Sequence, residues 1–264
     1  MTDWQRIRAD GFPFPEGGSL AELVAELVDM LASPDPQMRD QTAFAALATW
    51  IDGGVVPDAQ LLPLGNLMAG RLQADQIQAR SFASLILDVI VSSRDMCEPG
   101  WVDAFERWYA TEPDVGGHDP SLGWLHAVAH GADLLGSLGR RTDVAPRRLL
   151  DLATTRMLAP TDTVWHDQEH DRLAHAIGKV LTRPDLSQQD AATWLQPVTE
   201  ALSGDQPVPV PARVSNTLHT LRMVYLLISR GIRVAPDKVL PVPHQDLVLD
   251  RVAEALHPAT PWMW

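Results

Sequence analysis

Apolar residues along this chain recur at intervals of three and four, and alternation of apolar and polar positions hardly appears, so the pattern predicts helices almost throughout. Ser19 caps the run LAELVAELVDML, in which Leu20, Leu23, Val24, Leu27, Val28 and Leu31 form one stripe. SPDP opens a helix through Phe44, Leu47 and Trp50 that Gly53 and Gly54 stop. Asp58 caps the next, which runs to Leu72. A helix over Asp75 to Ser92 carries Phe82, Leu85, Ile86 and Val89 on one face. Further helices are predicted over 101–109, 121–138, 146–157, 163–181, 187–202, 213–230 and 245–256. The junctions hold Pro, Gly or Asp and are short, as antiparallel neighbours require.

The fold class expected is all-α. The helices beginning near Asp75, Ser121, Thr163 and Arg213 follow one another at roughly the 40–47-residue interval of HEAT or armadillo units, each with another helix between. That rhythm favours a stacked array of helix pairs, a HEAT/armadillo-like α-solenoid, with a compact multi-helix bundle as the alternative. The organisation expected is a single domain over 1–264: N-terminal helices over 1–74, a core over 75–230, and a last helix with an apolar tail over 231–264. The proline-rich stretch 205–211 reads as a stiff connector, and the end, HPATPWMW, is expected to dock back on the last helix.

Composition narrows the classes of function. A net charge of −13 with no basic run argues against nucleic acid and anionic membrane surfaces. No apolar run is long enough to span a membrane, and the N-terminus lacks the apolar core of a secretion signal, so a cytoplasmic setting is expected. One cysteine, Cys97, excludes an internal disulfide and a cysteine-based zinc site. Lys179 and Lys238 are the only lysines; arginine suits fixed, multidentate partners, so some of the arginines are candidate structural clamps, with codon bias as the plain alternative.

The candidate chemistry lies in GWLHAVAHGADLLGSL. On a helix from Ser121, His126, His130, Asp133 and Ser137 share a narrow arc while apolar residues take the rest. Two His four apart with Asp one turn on are half of a divalent metal site, His126, His130 and Asp133; HAVAH lacks the Glu of a zincin base. The same residues equally suit a hydrogen-bonded polar pocket, with Asp133 fixing a histidine tautomer, or a solvent-facing strip.

A second cluster, WHDQEHDRLAHAIGKVL, contains His166, Glu169 and His170 in the order H-x-x-E-H of an inverzincin. An inverzincin needs a mixed peptidase domain, and no sheet is expected here. Glu169 and Arg172 are spaced to pair on a helix, and the doublets His166-Asp167 and His170-Asp171 are weak signs of an HD-type hydrolase.

GWLHAVAHGADLL (123–135) and EHDRLA (169–174), with ARSFASLIL (79–87) and LRMVYLL (221–227) in the same order, resemble segments of an uncharacterised bacterial family known only as a domain of unknown function, number 2785. The resemblance covers roughly 75–230. In that family the second segment reads Glu, acidic, Glu, Arg, Leu, Ala; His170 and Asp171 depart from it, which implies that His170 is a local variation on an E-x-x-R motif. The resemblance implies a site and no activity.

Arg80, the His126–His130–Asp133 stripe, Glu169 with Arg172, and Arg222 with Tyr225 fall on the four helices of the expected layer. They are expected to form a polar pocket on a concave face, with Trp124 as a wall; the alternative is a buried ion-pair and histidine network. The function expected is a binding or scaffolding module for a protein, peptide or small polar ligand. A hydrolase is the alternative, with His126 or His130 as base or metal ligand and Arg80 or Arg172 holding an anion. No organic cofactor is expected; a divalent metal is the one ion the residues suggest.

Overall fold

The structure, a computed structural model, describes residues 2–204 and 208–264. The described residues are mostly helical, so the chain is all-α. It divides into two compact units: residues 1–108 with 116–134, and 109–115 with 135–264.

The first unit starts with α1 (Trp4–Ala9), α2 (Leu20–Met30) and α3 (Pro36–Met38); a π-helical turn (Arg39–Phe44) then leads into α4 (Ala45–Asp52). α5 (Asp58–Arg71), α6 (Ile77–Arg94) and the start of α7 (Pro99–Thr111) follow. Asp3 accepts the Arg6 N–H, Ser19 the Glu22 N–H and Asp35 the Gln37 N–H, so the starts of α1, α2 and α3 are capped by side chains. α6 packs against α4 and α5, its Phe82, Ile86 and Ile90 buried as the apolar periodicity requires. Gly65 on α5 leaves room for the indole of Trp101: a Cβ there would lie 2.1 Å from the ring. Trp101 Nε1 donates to Asn66 Oδ1 at 2.8 Å.

A hairpin of β1 (His118–Asp119) and β2 (Gly123–Trp124) precedes α8 (Ala127–Leu138). This corrects the helix expected from Ser121. Asp119 Oδ1 accepts the backbone N–H groups of Ser121 and Leu122, both at 2.8 Å, and the Ser121 hydroxyl at 2.6 Å. Those bonds hold its carboxyl below the usual range, the Ser121 hydroxyl contributing most. The carbonyl of Gly117 takes the N–H groups of Leu125 and His126. Donors that would have opened a longer helix are thus bound in a turn. Gly123 sits at φ +71°, and a Cβ there would meet Pro36 Cβ at 2.9 Å, so the hairpin requires glycine.

The second unit holds α9 (Pro146–Leu158), α10 (Glu169–Leu181), α11 (Gln188–Thr193), α12 (Gln196–Leu202), α13 (Ala212–Arg230) and α14 (Gln245–Leu256). A second hairpin, β3 (Ile232–Ala235) and β4 (Lys238–Leu240), joins α13 to α14. α10 packs against α9 and α13, and α13 against α9 and α14. The helix expected over 187–202 is two helices, parted where Pro197 enters the first turn of α12 and removes a donor. The helix expected from Thr163 starts instead at Glu169, because Asn216 holds the preceding chain extended. Asn216, buried on α13, accepts the Trp165 N–H at 2.9 Å and donates to the Thr163 carbonyl at 3.0 Å.

Three buried arginines act as clamps. Arg39 donates to the carbonyls of Ser33, Leu122 and Trp124 and to Asp40. Arg156 donates to Tyr109 and Glu112 carbonyls at 3.0 and 2.9 Å, and Arg183 to those of Arg141 and Val144. Each fixes two or more carbonyls at the ends of elements or in the turns between them, a geometry that lysine, a single point charge, does not reproduce. Burial pulls the Arg156 guanidinium below its ordinary value and pushes the Tyr109 phenol up.

Of the expected connector over 205–211, residues 205–207 lie outside the described residues. The apolar tail turns back on the last helix, with the Trp264 ring 5.8 Å from that of His257. Met263 and Trp264 border a groove of about 410 Å³ with Arg222, Tyr225 and Leu256, while Trp262 is exposed.

Candidate functional site

The residues singled out by sequence fall in both units. Trp124, His126, His130, Asp133 and Arg80 are in the first; Glu169 and Arg172 are in the second.

In the first unit the hairpin and the start of α8 build a ladder of rings. His118 packs edge-on against Trp124 at 4.6 Å, Trp124 lies 4.4 Å from His126 at a shallow angle, and His126 stands perpendicular to His130 at 5.7 Å. His130 continues to Phe82 at 5.1 Å, and Phe82 carries the Arg39 guanidinium 5.0 Å from its ring centre. The ladder runs from solvent, where Trp124 is 44% exposed, to the core, where His130 is 7% exposed.

His126 is outside the helix, a correction to the shared arc with His130. It precedes α8 in the left-handed region, φ +47°, and its carbonyl accepts the His130 N–H at 2.8 Å. A histidine held there stores about 1 kcal/mol or more of backbone strain. Asp133 remains on α8, half-buried. Ligand atoms of His126, His130 and Asp133 do not gather within 4.8 Å of one another. Arg80 closes the turn before α6, its Nη1 donating to the carbonyls of Ala74 and Asp75 at 2.9 and 2.7 Å.

The tautomer of His130 follows from its partner. Ser81 Oγ, fully buried, lies 2.7 Å from His130 Nδ1 and also donates to the carbonyl of Leu125. A carbonyl only accepts, so the single hydroxyl proton of Ser81 points to Leu125. Ser81 Oγ then accepts from Nδ1–H, and the lone pair of His130 is on Nε2. Ser81 and His130 resemble a nucleophile and base in distance, but the proton runs in the wrong direction for that chemistry.

In the second unit, Glu169 opens α10 with no exposure and accepts the Asp167 N–H at 2.8 Å. Burial pushes its carboxyl above the ordinary glutamate value, against the pull of that bond. Arg172, one turn on, is exposed. His166 is in the loop and His170 on the first turn of the helix, Gln168 between them at φ +67°. H-x-x-E-H therefore lacks the continuous helix that would set both histidines on one metal, and the inverzincin reading fails here on geometry.

Arg39, Ser81, Asn216 and His219 gave no signal along the chain, because each acts through residues far away in sequence. The turn residues Asp119, Pro120 and Gly123 were legible as hairpin signals and would have placed His118 opposite Trp124.

Comparison with known proteins agrees with the sequence segments. A family model described as Protein of unknown function (DUF2785) matches residues 68–226. No curated protein and no solved structure matches the chain. That match spans more than half of the 264 residues, and the chain belongs to the DUF2785 family of proteins of unknown function.

Proposed function

We propose that this chain is a binding module whose recognition element is the ring ladder around Trp124. One observation carries the reading: an exposed indole stands between two histidines on a hairpin whose carbonyls are held by a buried arginine. A large ring fixed in place before contact loses little entropy on binding, and tryptophan is the residue type most enriched where contacts contribute strongly to affinity. His118 and His126 supply polar edges beside it, so the ligand class is a peptide segment or a small polar molecule with a flat face. The HEAT-like arrangement of stacked helix pairs belongs to this proposal; in the second unit its support is the packing of α9, α10, α13 and α14 on one another. A cytoplasmic setting is also part of it, supported by the finding that no helix among the described residues is long and apolar enough to cross a membrane.

The test is a displayed random-peptide selection on the purified full chain, with each selected peptide titrated against wild type and Trp124→Ala. Selected peptides that lose about tenfold or more in affinity, the range of a binding hot spot, support the module. Peptides that bind both proteins equally, or no enrichment at all, overturn it.

A second reading is a hydrolase, metal-dependent or not, with His126 or His130 as base or ligand. The observation favouring it is the Nε2 lone pair of His130. Elemental analysis of the untagged protein beside a folded His126→Ala/His130→Ala variant decides its metal form: stoichiometric zinc, manganese or iron lost in the variant supports it, and no metal after divalent ions are supplied sinks it.

A further inference from the structure

An open groove of about 530 Å³ lies where the loop before α10 meets α13 in the second unit. Its lining is unlike the rest of this acidic chain. His166, His170, His219 and Arg222 border it, Trp165 and Met223 supply apolar surface, and no carboxylate is among its described lining residues. His219, Arg222 and Met223 are at i, i+3 and i+4, so one face of α13 presents them together. The rings of His170 and His219 are 5.5 Å apart.

The balance of donors and acceptors is lopsided. Arg222 has only donors, and so does the Trp165 indole. Trp165 Nε1 and His170 Nδ1 are shielded from water and have no hydrogen-bond partner among the described residues. Such buried polar atoms are rare and call for an explanation. Asp171, whose Oδ1 is 3.4 Å from His170 Nε2, and Glu169, whose carboxyl also feels the charge of His170, are acids beside the histidines, and both belong to α10 outside the lining. His219 is held below its ordinary value, first by burial and then by the like charges of His170 and Arg222. An entering anion would meet the Arg222 cation and would favour the protonated form of the histidine beside it.

We propose that this groove binds a small organic oxyanion with an apolar arm: Arg222 and the histidines take the oxygens, and Trp165 and Met223 face the arm. The proposal is independent of the Trp124 ladder, which is in the other unit. A site built of donors discriminates by supplying what water must otherwise supply, and arginine offers the paired donors that match two oxygens.

Phenyl phosphate is the probe, with inorganic phosphate beside it, titrated calorimetrically into the full chain near pH 6. His219 and Arg222 are exposed, so His219→Leu and Arg222→Met leave the core untouched. Arg230→Met, on the same helix and outside the lining, controls for net charge. Wild type and Arg230→Met are expected to bind phenyl phosphate alike, Arg222→Met about tenfold or more weaker, as for a lost charge-assisted bond, and His219→Leu several-fold weaker. Inorganic phosphate is expected to bind less tightly than phenyl phosphate. No binding to wild type, equal binding by Arg222→Met, an equal loss in Arg230→Met, or equal affinity for the two phosphates would each overturn the proposal.

Discussion

Two loops, 117–126 and 161–168, deliver the chain into α8 and α10, and both do so through a residue of positive φ, His126 at 47° and Gln168 at 67°. Helical periodicity runs through both loops in the sequence, and both stay extended because a neighbouring element binds their backbone. The means differ. Arg39, a buried cation, takes two carbonyls of the first loop and Ser81 a third. Asn216, a neutral amide, takes one donor and one acceptor of the second. A charge held inside the protein is costly unless fully bonded, so the first loop depends on its clamp more steeply than the second. The residues of positive φ differ as well. Gln168 is exposed, whereas the His126 ring is wedged between Trp124 and His130. Strain in the second loop does nothing visible; in the first it aims a ring.

Breaking each clamp is the strongest way to probe the difference. Arg39→Met should destabilise the chain by about 3–5 kcal/mol, since the three carbonyls and Asp40 lose their donor. Asn216→Ala should cost about 2–3 kcal/mol for one buried N–H and one carbonyl left unmade. Denaturant melts of the two variants give the order directly, and equal losses would erase the distinction between the loops.

Relieving the strain gives a smaller effect with a sharper contrast. Gln168→Gly should stabilise by about 0.5–1 kcal/mol, because glycine adopts φ +67° freely and no packing is lost. His126→Gly should show no gain, the relief being cancelled by the lost ring contacts. A gain of the same size in both would mean that the ladder contributes nothing to the fold.

The smallest effect is one of pH at the start of α10. Glu169 has a folded value above its unfolded one, so the folded state retains its proton to higher pH than the unfolded state does. The stability tied to that proton is complete below about pH 4.5, the ordinary glutamate value, and is lost as pH rises through the folded value. Glu169→Gln still offers an oxygen to the Asp167 N–H and does not ionise. Thermal melts across the acid range should therefore show wild type losing ground to Glu169→Gln as pH rises; a constant gap would mean that burial does not raise this carboxyl.

The helices were legible in the sequence because burial of an apolar stripe leaves a period that one chain records by itself. Leu20 to Leu31 and Phe82 to Val91 needed no partner to be read. The starts of α8 and α10 were not legible in the same way: Ala127 and Glu169 open their helices because Arg39, Ser81 and Asn216, 44 to 85 positions from the residues they bond, take the backbone first. The His126–His130 pairing was visible as a spacing, and its geometry was not, because it depends on a φ angle. His219 and the groove it borders belong to one face of α13 whose meaning comes only from the loop opposite.

Central to this account is that the buried polar groups of the first loop hold backbone and position rings, and do not form a serine nucleophile with its base. The tautomer of His130 tests that most directly. Long-range proton–nitrogen correlation NMR on the histidine-labelled chain should find Nδ1 protonated and Nε2 bare near neutral pH. A proton on Nε2 with Nδ1 accepting from Ser81 would contradict the account and make Ser81–His130 a pair able to do chemistry.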